Sequence, residues 1–256
     1  MKLLLENWRK YLAESEEKYF PWLKDLPEFI QSLAGWRGAD PENPHFKKLG
    51  TGSFRSVWAP TGDDEHVVKI VHRPRVGRPD KENLQMNKDD FETSKRYPLI
   101  FPKAYAHADD FSWVVMEKAT PVSRMEDMQK ILDKSFPAEQ EAILQSRQAK
   151  NINPADPFHI MKVIMSSFRG GDRAKMPRAG YESEEDLEAP RVQDLLVPVA
   201  GPAYQELSKA MHEFAIDKYE IGRGNIGHDN EGNFKIIDSS VFDPDWDGSD
   251  VHIKIS

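Results

Sequence analysis

The sequence predicts an α+β fold in which a β-rich block lies between two helical regions. Three observations carry this. Residues 45–118 hold five short segments rich in β-branched and aromatic residues, each bounded by turn residues. Residues 123–215 place apolar side chains at helical spacing, and the first forty residues do so twice more. The 256 residues suit one large domain or two small ones, and 39% apolar content is enough for a sizeable core.

The elements follow in order. Leu4, Leu5, Trp8, Tyr11 and Leu12 predict an amphipathic helix over 2–14, and Trp22, Leu23, Leu26, Phe29, Ile30 and Leu33 predict another over 21–36. Both read as packing helices; docking of a partner or membrane is the sharper alternative, and Glu14, Glu16 and Glu17 argue against an anionic membrane. "GADPENP" at 38–44 reads as a linker. Strands follow in "HFKKLG", "FRSVWA", "HVVKIV", "FPKAYAHA" and "SWVVMEK". Their turns fall at Gly50–Gly52, Thr61–Asp64 and Asp109–Asp110, and a helix over 87–96 separates the third strand from the fourth. The expectation is a five-stranded antiparallel sheet with one helix. Helices are then expected at 124–134, 137–149, 157–168 and 203–216, with an exposed loop over 169–190. A last β-like pair at 225–238 precedes an acidic tail.

Composition excludes several functions. A formal net charge of −8 is unsuited to general nucleic-acid binding. Without cysteine there is no disulfide, cysteine-rich zinc site or thiol catalysis. The amino-terminal apolar run is three leucines long and meets Glu6, Arg9 and Lys10, unlike a signal peptide. No stretch approaches the roughly 18 apolar residues that cross a bilayer, so a cytoplasmic protein is expected.

Gly50 and Gly52 in "LGTGSFRSVW" sit between two strands, where backbone amides can approach an anion, although a plain hairpin turn explains them as well. A Walker loop is excluded, because no Gly-Lys-Ser/Thr follows. Lys69 lies mid-strand in "VVKIV", and a lysine in so apolar a strand needs a partner unless it faces water at an edge.

Together these segments resemble the protein-kinase-like superfamily. "LGTGSFRSV" is similar to its glycine-rich loop, with Arg55 where a third glycine is usual; "VVKI" is similar to the strand carrying the phosphate-binding lysine; "WVVMEKA" is similar to the strand entering the hinge. The resemblance implies a two-lobed fold: a helical extension over 1–40, a smaller lobe over 45–119 and a mainly helical lobe over 120–256. It implies ATP and Mg²⁺ as cofactors. Gly50, Gly52, Ser53 and Lys69 would meet the phosphates, Met116 would be the gatekeeper, and Glu117 to Ala119 would meet the adenine. "NKDDFETSKRYP" takes the place of the helix whose acid pairs with the lysine; the sequence offers Asp90 or Glu92, with spacing slightly in favour of Asp90.

"EIGRGNIGHDNEGNFKIIDSS", 220–240, sets Asn225 and Asp238 thirteen residues apart around the turn "DNEG". It resembles the "D-x-x-x-x-N-(I/V)-G" loop of compact bacterial and phage kinase-like proteins. The resemblance makes Asn225 and Asp238 the Mg²⁺ ligands, and Mg²⁺ prefers such hard oxygen donors. The base position falls on Glu220, five residues before Asn225. Its longer arm displaces the carboxylate by about one bond, and a misplacement of roughly 1 Å can cost about a hundredfold in rate. Ser-Ser-Val follows Asp238 where Phe-Gly is usual, and the sequence ends eighteen residues later, too soon for the usual activation segment and peptide platform. Two functions follow as expectations: phosphotransfer to a protein or small-molecule acceptor, or a pseudokinase that binds nucleotide or partners without transfer.

Other candidates are weaker. "DPDWDGSD" starts like a calcium loop but places Lys254 where a bidentate Glu is required. The histidines show no metal spacing, and His228 reads as a turn residue. "HRPRVGRPDK" at 72–81 reads as a solvated basic connection or a grip for an acidic partner.

Overall fold

The computed structural model describes residues 20–33, 43–52, 55–71, 81–146, 153–168, 189–214 and 225–237. Over these the chain is α+β, with a five-stranded antiparallel sheet, a three-stranded sheet and seven α-helices. It divides into two compact units. One takes residues up to Phe91 plus Ala104–Glu117; the other takes Glu92–Lys103 plus residues from Lys118 onward.

The first unit is built on β1 (Phe46–Thr51), β2 (Arg55–Pro60), β3 (His66–Val71), β4 (Ala104–His107) and β5 (Trp113–Glu117), in the spatial order β1-β2-β3-β5-β4. Period-two alternation gives this sheet two apolar faces. Trp58, Val68, Ile70 and Val115 meet Leu26, Phe29 and Ile30 of α1 (Leu26–Leu33). Val57, Val67, Val114 and Met116 lie on the other face with Phe91 of α2 (Lys81–Arg96). With both faces covered, β3 is buried at five consecutive residues, which is why it reads as a nearly unbroken apolar run. Phe29 stacks on Phe46 at 4.5 Å and meets Trp58 edge-on at 4.8 Å. Burying each of the three large α1 side chains stabilises this unit by about 1.5–3 kcal/mol.

Two bulges adjust the sheet. Ala104 and Ala106 would share a face in a regular strand, but the register shifts between them, so Ala104 opposes Met116 and Ala106 opposes Val115. In β1 the shift between Lys48 and Gly50 leaves Leu49 exposed, just before the glycine turn.

The second unit holds α3 (Met125–Ser135), α4 (Pro137–Gln145), α5 (Pro157–Ser166), α6 (Ala189–Leu196) and α7 (Pro202–Phe214). Its small sheet runs β6 (Thr120–Pro121), β7 (Ile226–His228), β8 (Phe234–Ile236). Met128, Ile131 and Leu132 of α3 meet Ile160 and Ile164 of α5, Leu207 and Ala210 of α7, and Phe234 and Ile236 of β8 in one core. Asp156 caps α5 by accepting from the amides of Phe158 and His159, with Pro157 in the first turn.

Several elements differ from expectation. The helix predicted over 21–36 opens as a 3₁₀ turn at Leu23–Asp25 before α1, and the helix predicted over 2–14 lies outside the described residues, as do 72–80, 169–188 and the tail. Helix α2 starts at Lys81 rather than 87. Residues 83–86 in its opening turns hold no buried side chain and so show no apolar stripe to read, while its face toward the sheet buries Asn87 and Asp90 within the predicted span. Helix 137–149 stops at Gln145. Helix α6 went unpredicted because it is only eight residues long; Val192 and Leu196 bury its inner face. Strand β6 also went unpredicted, since it is two residues long and contains Pro121. Among the described residues no helix is long and apolar enough to cross a membrane.

Candidate functional site

Lys69 is 4% exposed in the interior strand β3, and its Nζ lies 2.6 Å from Oδ2 of Asp90, itself 2% exposed. Of the two acids offered by the sequence, Asp90 is the one that meets the lysine, and Glu92 is exposed. Helical geometry explains this. Asn87 and Asp90 lie three residues apart and share the face against the sheet, whereas Glu92 is turned about 200° from Asp90.

A third charged group completes the cluster. Arg55, at the start of β2, is 5% exposed, and its Nη1 lies 2.7 Å from the same Asp90 Oδ2. It also donates to Asn87 Oδ1 at 3.3 Å and to the Met86 carbonyl at 3.4 Å. The Asn87 amide donates in turn to the carbonyls of Phe111, at 2.9 Å, and Lys69, at 3.5 Å. In the sequence, Arg55 is legible only as a departure from glycine. Its charge at the head of an otherwise apolar strand was the available signal, because a buried cation requires an acidic partner.

The glycine turn lies beside this cluster in sequence. β1 and β2 pair with Gly50 opposite Val57 and Thr51 opposite Ser56, and the Gly52 amide closes the turn by donating to the Arg55 carbonyl at 2.9 Å. A Cβ on Gly50 would meet nothing within 4 Å among the described residues, so local packing does not demand glycine there. Ser53 lies outside the described residues. Met116 is buried on β5 opposite Val67, Glu117 pairs with His66, and Ala119 lies between β5 and β6, half-buried.

In the second unit, the β7–β8 hairpin positions Asn225. The Asn225 carbonyl accepts from the Ile237 amide at 2.8 Å, which continues the register Ile226–Ile236 and Gly227–Lys235. Asp229 holds the turn: its Oδ1 accepts from the amides of Glu231 and Asn233, and its Oδ2 from the Asn233 side chain. Gly232 adopts φ 88°, and its amide donates to the Asp229 carbonyl. Gly227 is demanded by packing, since any Cβ there would collide with the Thr120 carbonyl of β6. Lys235 is buried and donates to the carbonyls of Pro98 and Phe101, at 3.0 and 3.4 Å. The Ile236 amide donates to the Ile100 carbonyl at 2.7 Å, so the loop after α2 is tied to this hairpin. Glu206 accepts from the Leu99 amide at the same loop. Burial raises the Glu206 pKa, against the opposing effects of that bond and of Lys235 and Lys209.

Glu220 and Asp238 lie outside the described residues. Among the described residues no three His, Asp or Glu side chains gather to hold a metal ion. Of the expected set, the structure brings together Lys69 and Asp90, forms the glycine hairpin around Gly50 and Gly52, and places Asn225 at the mouth of the β7–β8 hairpin. The oxygen of Asn225 suits a hard cation such as Mg²⁺. No family model matches the chain, and no curated protein matches it.

Proposed function

We propose that this protein binds ATP with Mg²⁺ and transfers its terminal phosphoryl group to an acceptor. The observation that carries the reading is the buried Lys69–Asp90 pair, in the same sheet as the β1–β2 hairpin that carries Gly50 and Gly52. A buried ion pair is a poor source of stability, because desolvation consumes most of the Coulombic gain. A lysine fixed in that position is better accounted for by a task. Lys69 would take the α/β-phosphates, amides near Gly50 and Gly52 the outer oxygens, and Glu117 to Ala119 the base, with Met116 as gatekeeper. Asn225 and Asp238 would hold Mg²⁺, and Glu220 would accept the acceptor's proton. Phosphoryl transfer asks little beyond such positioning and electrostatic stabilisation. The resemblance of "GNIG" to the compact kinase-like loop supports the same reading and suggests a bacterial or phage source.

The test is a thermal-shift titration with Mg-ATP, followed by incubation with γ-labelled ATP and candidate protein and small-molecule acceptors. The expected outcome is a higher Tm and transfer of label that is lost in Lys69→Met and Asp238→Ala. A folded protein whose Tm ignores Mg-ATP would overturn the nucleotide reading. Binding with no transfer to any acceptor or to the chain itself would replace it with the pseudokinase form, as Glu220 in the base position allows.

A further inference from the structure

Two cations converge on one oxygen of Asp90, and they are not equivalent. Lys69 contributes a point charge on a flexible stem. Arg55 contributes a planar guanidinium whose Nη1 reaches the Met86 carbonyl and the side chains of Asn87 and Asp90 on α2, while Lys69 reaches Asp90 alone on that helix. Arg55 is also anchored at its backbone, where β2 pairs with β3 opposite Val71 and the Arg55 carbonyl closes the glycine turn.

We propose that Arg55 is the positioning residue that holds α2 against the sheet, so that Lys69 can turn its ammonium to a phosphate without α2 losing its tether. Where one lysine alone holds a helical carboxylate, turning to a ligand would leave that carboxylate buried without its cation. Here Asp90 keeps a charge-assisted bond from Arg55 throughout, so the swap costs less. Arg55 also explains why a bulky charged residue can stand at the end of a glycine-rich turn: its side chain points away from the turn, into the α2 contact. The tether follows from contacts within the first unit alone; the handover of Lys69 rests on the nucleotide reading above.

Backbone hydrogen exchange over 81–96, measured without nucleotide, tests the tether. Arg55→Met is expected to speed exchange at 86–90 by about tenfold, the loss of roughly one to two hydrogen bonds, and Lys69→Met by less than about threefold. Equal effects, or the larger effect from Lys69→Met, would overturn the proposal. Should Arg55→Met fail to fold, Arg55→Lys decides. It keeps the charge but not the planar guanidinium whose Nη1 meets Met86, Asn87 and Asp90, and faster exchange at 86–90 with a native circular dichroism spectrum is expected; exchange equal to wild type would overturn the proposal. Saturating Mg-ATP tests the handover. Exchange in α2 should stay within about twofold of the nucleotide-free protein, while Lys69→Met weakens Mg-ATP binding by about tenfold or more. Loosening of α2 by Mg-ATP would overturn it. A wild-type protein that binds no Mg-ATP would remove the nucleotide reading and the handover with it, leaving the tether to be judged on the exchange data alone.

Discussion

Asp90 in α2 and Glu139 in α4 are 2% and 0% exposed, yet their surroundings differ in kind. Asp90 is met by two full positive charges, Arg55 and Lys69, on one oxygen. Glu139 is met by a backbone amide: its Oε1 accepts from Gly201 at 2.6 Å, just before α7, and its Oε2 has no hydrogen-bond partner among the described residues. The Gly201 Cα comes close enough that an added Cβ would lie 3.4 Å from Oε1. Glu139 is therefore a fixed cap that accepts the amide at the amino-terminal end of α7. Asp90 belongs to a cluster in which two cations share one carboxylate oxygen. The second unit uses a buried acid to hold two helices together; the first uses one to hold cations.

The widest separation between the two should come from removing each carboxylate. Asp90→Ala leaves Arg55 and Lys69 buried without their shared acid, and urea denaturation should show a loss of about 3–5 kcal/mol. A loss below about 1 kcal/mol would mean that both side chains relax to water and that the cluster is not a fixed feature. Glu139→Ala deprives the Gly201 amide of its acceptor and should cost about 1–3 kcal/mol. Neutral isosteres sharpen the contrast. Glu139→Gln retains an acceptor oxygen for Gly201 and should cost less than about 1 kcal/mol, whereas Asp90→Asn removes the charge that both cations need and should cost clearly more. Equal costs for the two amides would erase the distinction between cap and charge cluster.

The same contrast explains what the sequence made legible. The strands of the first unit were readable because their apolar runs and turn glycines obey simple periods, and Lys69 stood out as a charge within such a run. Asp90 was readable only as one of two acids, since its choice depends on which face of α2 meets the sheet. Arg55 was misjudged in importance, because its partners at 86, 87 and 90 are brought to it by the fold and not by nearby sequence. Glu139 was invisible for the same reason: Gly201 lies 62 positions away. The start of α2 was lost because residues 83–86 bury no side chain and so display no apolar stripe. Gly227, taken as part of a resemblance to "N-I-G", has a local cause in the approach of Thr120, a two-residue strand that no periodicity could announce.

A third carboxylate, Asp63, tests the comparison in a more exposed setting and with the smallest expected effect. Its side chain is 17% exposed at the β2–β3 turn. Its Oδ2 accepts from the Trp22 indole at 2.8 Å, its Oδ1 accepts from the amides of Glu65 and His66, and the His66 ring lies 2.9 Å away. Burial alone would raise the Asp63 pKa, but the bonds from Trp22, Glu65 and His66, with the nearby His66 charge, outweigh it and hold the carboxyl below its ordinary value. A group depressed in this way stabilises the fold above its unfolded pKa, and the contribution fades as pH falls through the folded value. Trp22→Phe keeps an aromatic ring beside Phe20 and Phe46 but removes the indole donor. It should cost about 1 kcal/mol at neutral pH, with the bond discounted for partial exposure to water. The gap between wild type and variant should hold steady down to the ordinary carboxyl value of 3.8 and then narrow as the pH falls through the lowered folded value, because protonated Asp63 accepts the indole less strongly. A gap that stays constant through that fall would trace to lost packing, placing Asp63 with Glu139 as a shape-dependent anchor instead of with Asp90 as a charge-dependent one.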